Sequence, residues 1–390
     1  MLFEQAGFGD ELRYPLIHDF TRPIIVWNIT STCNLNCCHC YFDARQSKRE
    51  TTFSLKEAAD FILGLSKMSV PVIIFSGGEP LMSADIFWLG QFSKGMGIRT
   101  VLSTNGTLIN QAMARKIKTA GFDYVGISID GAPKTHDRIR GQRGAFKFAL
   151  QGIRNCRKEG IKTGLRFTLM KQNYKDLRFI FDLVEKEEIN RLCIYHLVYT
   201  GRARGAQDDI SSTERREVLE FIWDKVNDFH RSGRKTEILT VNNHADGVWL
   251  YLRLKKEQPD LARKIFKLLS RNRGNGAGSA LVAVDHLGNV FADQFLRSRV
   301  LGNIFKQPFS EIWQDESNLF LSDLRNRKAF IKGRCQTCRF FSLCNANSRQ
   351  RALAVFGDLR AEDPGCYLTD SEIYGENPAY SSVSSIGINP

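Results

Sequence analysis

The chain has 390 residues, 43% of them hydrophobic and 25% charged, with ten cysteines and a net charge of +13 at pH 7; at roughly 150 residues per domain this is material for about two domains. No apolar run approaches the roughly 20 residues of a membrane span, and the start MLFEQAGFGDEL lacks the basic-then-apolar pattern of a secretion signal. These features argue against a membrane-spanning or exported chain and predict a cytoplasmic one, where thiols stay reduced and cysteine clusters bind metal rather than form disulfides.

Residues 1–21 form an N-terminal segment. From 22 to 205, six short apolar runs alternate with helical patterns: PIIVWNIT (23–30), PVIIFS (71–76), IRTVLS (98–103), FDYVGISID (122–130), KTGLRFTLM (162–170) and RLCIYHLVY (191–199). Their β-branched and aromatic content marks strands, and their near-continuous apolarity marks strands buried on both faces of a parallel sheet. SLKEAADFILGLSK shows the helical counterpart, with Ser54 and Glu57 as a capping box and Ala58, Phe61, Ile62 and Leu65 along one side. The fold class is therefore α/β, with right-handed crossovers in a doubly wound sheet or a partial barrel, and its chemistry belongs at the C-terminal strand ends. Residues 206–275 read mainly as helices, interrupted by the turn-like VNNHADG. Within 276–372, LVAVDHLGNVFADQF (281–295) reads as a hairpin turning near His286–Asn289, ahead of a second cysteine-bearing segment. Residues 373–390 read as a disordered tail.

Cys33, Cys37 and Cys40 form C-x3-C-x2-C immediately after the first strand. Structural zinc sites use C-x2-C pairs and four ligands, so this spacing suits zinc poorly. Three thiolates on one short loop suit a [4Fe–4S] cluster with one iron left open for a small molecule. Cys38, Cys156 and Cys193 read as bystanders, the last two as core residues.

The loop resembles that of the radical S-adenosylmethionine (SAM) enzymes, and FSGGEP (75–80) at the next strand end is a second match. In that family the open iron chelates the amino and carboxylate groups of SAM, which implies that Gly77 and Gly78 let backbone atoms approach the ammonium while Glu79 supplies a negative partner. LSTNG offers Ser103 and Asn105, GISIDG offers Ser128 and Asp130 for ribose hydroxyls, and GLRFT offers Arg166 for the methionine carboxylate. His39 occupies the family's aromatic position near the adenine. The resemblance implies a partial (β/α)6 barrel that reductively cleaves SAM to a 5′-deoxyadenosyl radical, the cofactors carrying that step.

Cys335, Cys338, Cys344 and Cys366 form C-x2-C-x5-C-x21-C. By spacing alone, structural zinc and a fully ligated iron–sulfur cluster stand level. The resemblance to radical SAM enzymes with an α+β SPASM or twitch extension implies a [4Fe–4S] cluster. Ser348 and Asp293 stand where a full SPASM domain carries further cysteines, so one auxiliary cluster is expected, two clusters in all.

YHLVYTGR, LTVNNHADG, ADQF, KGRC-x2-C and DPGCYLTDSEI look like the tetrapyrrole-modifying branch, and closer to its didecarboxysiroheme deacetylases than to its haem d1 enzymes. That likeness implies an anionic iron-tetrapyrrole substrate, for which a net charge of +13 is sensible, removal of its acetate side chains to give Fe-coproporphyrin III, and an electron donor such as flavodoxin or ferredoxin. His196 and His244 are then candidates for the iron or its carboxylates, and Arg202, Arg204 and Arg297 for carboxylates. No nucleic-acid-binding signature is present. Propionate removal on the haem d1 route is the second reading. A peptide-modifying SPASM enzyme is the third, because only about twenty residues precede the first strand, fewer than a leader-binding domain needs.

Overall fold

The structure is a computed structural model, and it describes residues 21–46, 53–203 and 205–375. Arg204 and almost all of the expected tail therefore lie outside the described residues. The six apolar runs form β1 (Ile24–Asn28), β2 (Val72–Ser76), β3 (Arg99–Thr104), β4 (Tyr124–Ser128), β5 (Thr163–Leu169) and β6 (Arg191–His196). Each pairs in parallel with the next, so all six C-terminal ends face the same way. Helices α1 (Leu55–Lys67), α2 (Ile86–Gly95), α3 (Gln111–Thr119), α4 (Pro133–Arg140), α5 (Ala145–Lys158) and α6 (Leu177–Lys186) make the crossovers.

The local rules hold in α1. Ser54 Oγ accepts from Glu57 N at 3.2 Å and Glu57 Oε2 accepts from Ser54 N at 2.7 Å, and the buried residues are Ala58, Phe61, Ile62 and Leu65. Phe61 meets Trp27 of β1 edge-on at 5.0 Å, a buried pair whose truncation would cost about 3–5 kcal/mol.

The sheet is larger than six strands, in the order β10-β9-β8-β1-β2-β3-β4-β5-β6-β7. The chain enters α7 (Ser212–Arg231), then β7 (Glu237–Val241), which pairs in parallel with β6. This strand lies in the stretch expected to be helix and turn. It is an edge strand with mostly half-exposed residues, so it lacks the apolar run of its neighbours. After α8 (Ala245–Glu257) and α9 (Pro259–Asn272), the hairpin of β8 (Leu281–Val284) and β9 (Asn289–Phe291) docks on the opposite edge, β8 in parallel with β1. β10 (Gly302–Asn303) pairs with β9, and Cys335 and Cys344 lie in short helices, with Cys338 and Cys366 outside them. No helix among the described residues is long and apolar enough to cross a membrane.

Candidate active site and the second cysteine site

The loop after β1 is held from three sides. Asn36 N and Cys38 N donate to Arg140 O and Ile139 O at the end of α4, at 3.2 and 3.0 Å. Arg202 donates to Cys37 O at 2.6 Å, Ala44 O at 2.8 Å and Asp43 at 3.1 Å. Gly141, at φ +67°, leaves room for Asn36 O, which a Cβ would approach to 2.7 Å. Arg202 is thus a clamp of the loop, and its guanidinium is committed to the protein rather than to a substrate carboxylate.

Each thiol in this loop meets a donor. Leu35 N reaches Cys33 Sγ and Ala44 N reaches Cys40 Sγ, both at 3.4 Å, while Arg140 Nη1 reaches Cys37 Sγ at 3.5 Å. Burial, then the Glu79 charge, pushes the Cys33 thiol up to about 12. Burial likewise raises Cys37, with Arg140 opposing. An apolar site lined with sulfur donors disfavours bare thiolates and favours thiolates bound to a cationic centre. Among the described residues no three His, Cys, Asp or Glu are set for a single metal ion. Three cysteines on one loop match the ligation of a [4Fe–4S] cluster with one iron left open.

Around this loop the strand ends converge. Gly78 N donates to Thr30 O at 2.7 Å and Glu79 N to Thr32 O at 2.8 Å. A Cβ on Gly77 or Gly78 would lie 2.5 or 2.1 Å from those same carbonyls, so the glycines first of all let β1 and β2 end side by side. Glu79 is fully buried, and it accepts from Leu81 N, Thr104 Oγ1 and Asn105 N at 3.1, 2.7 and 2.8 Å. It stitches β2 to β3, and three donors leave one of a carboxylate's roughly four acceptor positions open. Asn105 also donates to Asn34 at 2.9 Å. Arg166 lies in the barrel over Tyr195, 4.7 Å from the ring centroid, and donates to Ser103 Oγ. Among the described residues it has no carboxylate partner, and a half-buried guanidinium in that state is suited to an anion. Ser128 is beside Arg166 in register.

Asp130 is placed differently from the expected ribose contact. It is fully buried, accepts from Thr168 N at 3.0 Å, and its other oxygen lies 2.5 Å from Arg140 Nη2 and 3.5 Å from His39 Nε2. Its carboxylate faces the protein, toward a cation and a ring from the cysteine loop. Burial lowers His39 to about 4, and its Nδ1 is buried without a partner among the described residues.

The second cysteine set assembles from a longer stretch. Cys338 Sγ accepts from Phe340 N at 3.4 Å, and burial raises all four thiols. Burial and the other three thiols push Cys344 well up. Asn345, Ala346 and Asn347 all have φ near +54° (53°, 54° and 54°), a left-handed run immediately after Cys344. Such a run in non-glycine residues persists only where the surroundings enforce it. Two buried arginines absent from the sequence reading, Arg327 and Arg349, bond to that run, and a third, Arg351, braces the segment beside it. Arg327 donates to Asn345 O at 3.0 Å and Ala277 O at 2.8 Å. Arg349 donates to Leu359 O at 2.8 Å. Arg351 forms a fork with Asp363 at 2.9 and 2.7 Å and reaches Leu197 O and Asn242 O at 3.0 and 2.9 Å, tying the Cys366 segment to the ends of β6 and β7. Cys38, outside both sets, takes a side-chain donor, Gln172, at 3.3 Å.

Between the two cysteine sites lies a cavity of about 380 Å³, lined by Val198, Asn243, His244, Asp293, Phe295 and Leu343 among others, within the roughly 300–1,000 Å³ of small-molecule sites. Phe295 meets Tyr41, next to Cys40, at 5.5 Å, and Leu343 precedes Cys344. Burial lowers His244 to about 4, so the ring is neutral, and its side chain has no hydrogen-bond partner among the described residues. Burial raises Asp293. His196 is not in this wall. Its Nε2 lies 2.7 Å from Asp246 Oδ2 and its Nδ1 2.6 Å from Arg215 Nη1, so both ring nitrogens are used and it is a core residue, not a substrate ligand. Arg297 stacks on Phe42 at 4.1 Å, with Asp285 at 3.6 Å.

The sequence profile of the Radical SAM superfamily matches residues 27–184, from β1 into α6. Fe-coproporphyrin III synthase of Methanosarcina barkeri is 47% identical over 90% of this chain and 89% of its own length. The chain belongs to that radical SAM family. Pre-heme d1 synthase of Dinoroseobacter shibae is 36% identical over 95% of this chain and 93% of its own. In fold, the chain matches SuiB of Streptococcus suis with a TM-score of 0.71 at 15% identity, over 90% of this chain and 76% of that one. Membership in the superfamily brings SAM and a [4Fe–4S] cluster, and the residues around Cys33, Cys37 and Cys40 fit both.

Proposed function

We propose that this chain removes the two acetate side chains of 12,18-didecarboxysiroheme, leaving methyl groups and giving Fe-coproporphyrin III. The observation that carries the reading is the 47% identity along nearly the whole of an enzyme of that name. When bound, the cluster supplies one electron that cleaves SAM to methionine and a 5′-deoxyadenosyl radical, which abstracts hydrogen from the substrate. Cys33, Cys37 and Cys40 hold that cluster. The Gly77–Gly78 backbone and Glu79's remaining acceptor position receive the SAM ammonium, Arg166 with Ser103 pairs with its carboxylate, Ser128 lies near the ribose, and His39 presents its ring to the adenine. Cys335, Cys338, Cys344 and Cys366 hold one auxiliary [4Fe–4S] cluster. The tetrapyrrole takes the cavity between the two sites, with neutral His244 offered to its iron and Arg297 to a carboxylate. An acidic flavodoxin or ferredoxin suits the +13 surface as electron donor.

The test is anaerobic incubation of reconstituted, reduced chain with SAM and didecarboxysiroheme. Mass spectrometry should show the loss of two acetate units and release of 5′-deoxyadenosine. Loss of propionate units supports the pre-heme d1 type of reaction instead, and an unchanged tetrapyrrole with 5′-deoxyadenosine released removes the substrate assignment.

A further inference from the structure

We infer that Arg140 is a positioning residue that sets the reduction potential of the cluster held by Cys33, Cys37 and Cys40, an inference that rests on the cluster assignment above. Its guanidinium is buried and split between two tasks. Nη2 lies 2.5 Å from Asp130 Oδ2, and Nη1 donates to Cys37 Sγ at 3.5 Å. A plain buried ion pair would turn both arms of the fork to the carboxylate; here one arm is aimed at a cluster sulfur. The aim is fixed from both ends. Asp130 is pinned by Thr168 N at 3.0 Å, and the last turn of α4 is bonded through its carbonyls to Asn36 and Cys38 of the loop.

The sign follows from Coulomb's law. Reduction adds an electron to the cluster, so a fixed cation beside a ligating sulfur stabilises the reduced form and raises the potential. Asp130 partly cancels that cation, but it is the guanidinium, not the carboxylate, that touches Cys37 Sγ, while Asp130 holds the other arm. Arg140 and Asp130 therefore act as an opposed pair. Removing the arginine lowers the potential, removing the aspartate raises it, and the pair holds the cluster at a potential between the two.

The experiment is a redox titration of the reconstituted full chain, read by EPR of the reduced cluster that responds to added SAM, with iron and sulfide counted in every sample. Arg140→Gln should move the midpoint down, Arg140→Lys should stay near the parent, and Asp130→Asn should move up. A fully loaded Arg140→Gln at the parent midpoint overturns the inference, as does Arg140→Lys shifting as far as Arg140→Gln, which would make the effect one of packing. If Arg140→Gln does not load iron, Asp130→Asn decides: an upward shift supports the inference, and an unchanged or lower midpoint overturns it. SAM cleavage by the parent chain is scored separately. Its absence sinks the functional reading and leaves the midpoint comparison standing.

Discussion

The two cysteine sites solve one problem in opposite ways. The first set sits on a short loop, and its tight positions are glycines: Gly77 at φ +133° and Gly141 at +67° need no compensation for their backbone angles. The second set is spread over residues 335–366, and its tight positions are Asn345, Ala346 and Asn347, held left-handed by Arg327 and Arg349, while Arg351 ties the Cys366 segment to the sheet. A site whose ligands share one short loop needs that loop and its braces, Arg202 and the end of α4, in place. A site built on buried guanidinium clamps depends on the packing of the whole C-terminal region, including the ends of β6 and β7.

The largest effect separates the sites by function. Cys37→Ala should abolish 5′-deoxyadenosine release, because two thiolates cannot retain the SAM-binding cluster. Cys335→Ala should preserve at least part of that release while the iron count falls by about four per chain. Equal loss of release in both would mean that the two sites are one functional unit, and an unchanged iron count in Cys335→Ala would return the second site to zinc or to no metal. Next comes Arg351→Ala, which leaves Asp363 buried and unpaired; removing one member of a buried pair costs about 3–5 kcal/mol. Denaturant unfolding should show that loss, and iron should leave the C-terminal site before the first. Iron leaving both together would break the contrast.

This contrast also explains what the sequence could tell. β1 to β6 were legible because strands buried on both faces are continuously apolar, and the cysteines because thiols at fixed spacing have few other uses. β7 was hidden, since an edge strand such as Glu237–Val241 carries polar residues. Arg140 and Arg351 were hidden for another reason: arginines are scattered through the chain, and only the fold brings one beside Cys37 and another beside Asp363. His196 misled for the same reason in reverse. It stands at a strand end, where ligands gather, yet Arg215 of α7 and Asp246 of α8 close over it. His244 keeps its place in the cavity wall, where no such pair covers its ring.

Acid probes both regions at once. His136, whose Nδ1 accepts from Asp130 N at 3.0 Å beside the first site, and His244 beside the second are each lowered to about 4 by burial. The unfolded chain binds protons on these rings at about 6.5, so their neutral burial contributes fully above that pH. Stability should fall as pH drops from about 6.5 toward 4, by about 1.4 kcal/mol per pH unit for each ring. His244→Gln should remove its share of the slope in denaturant unfolding between pH 7 and 5. A slope unchanged in that variant would mean that the His244 ring takes its proton in the folded state as readily as in the unfolded one.

The smallest effect is the most diagnostic for strain. Ala346 is fully buried at φ +54°. An ordinary buried alanine changed to glycine loses a methyl worth about 0.8 kcal/mol and adds about 0.5–1 kcal/mol of chain entropy cost, so about 1.5 kcal/mol is lost. A left-handed alanine starts about 1–2 kcal/mol above its relaxed state, and glycine releases that strain. Ala346→Gly should therefore change unfolding free energy by less than about 1 kcal/mol. A loss of the full ordinary amount would mean that the turn around Cys344 costs the chain nothing, and the second site would then be as relaxed as the first.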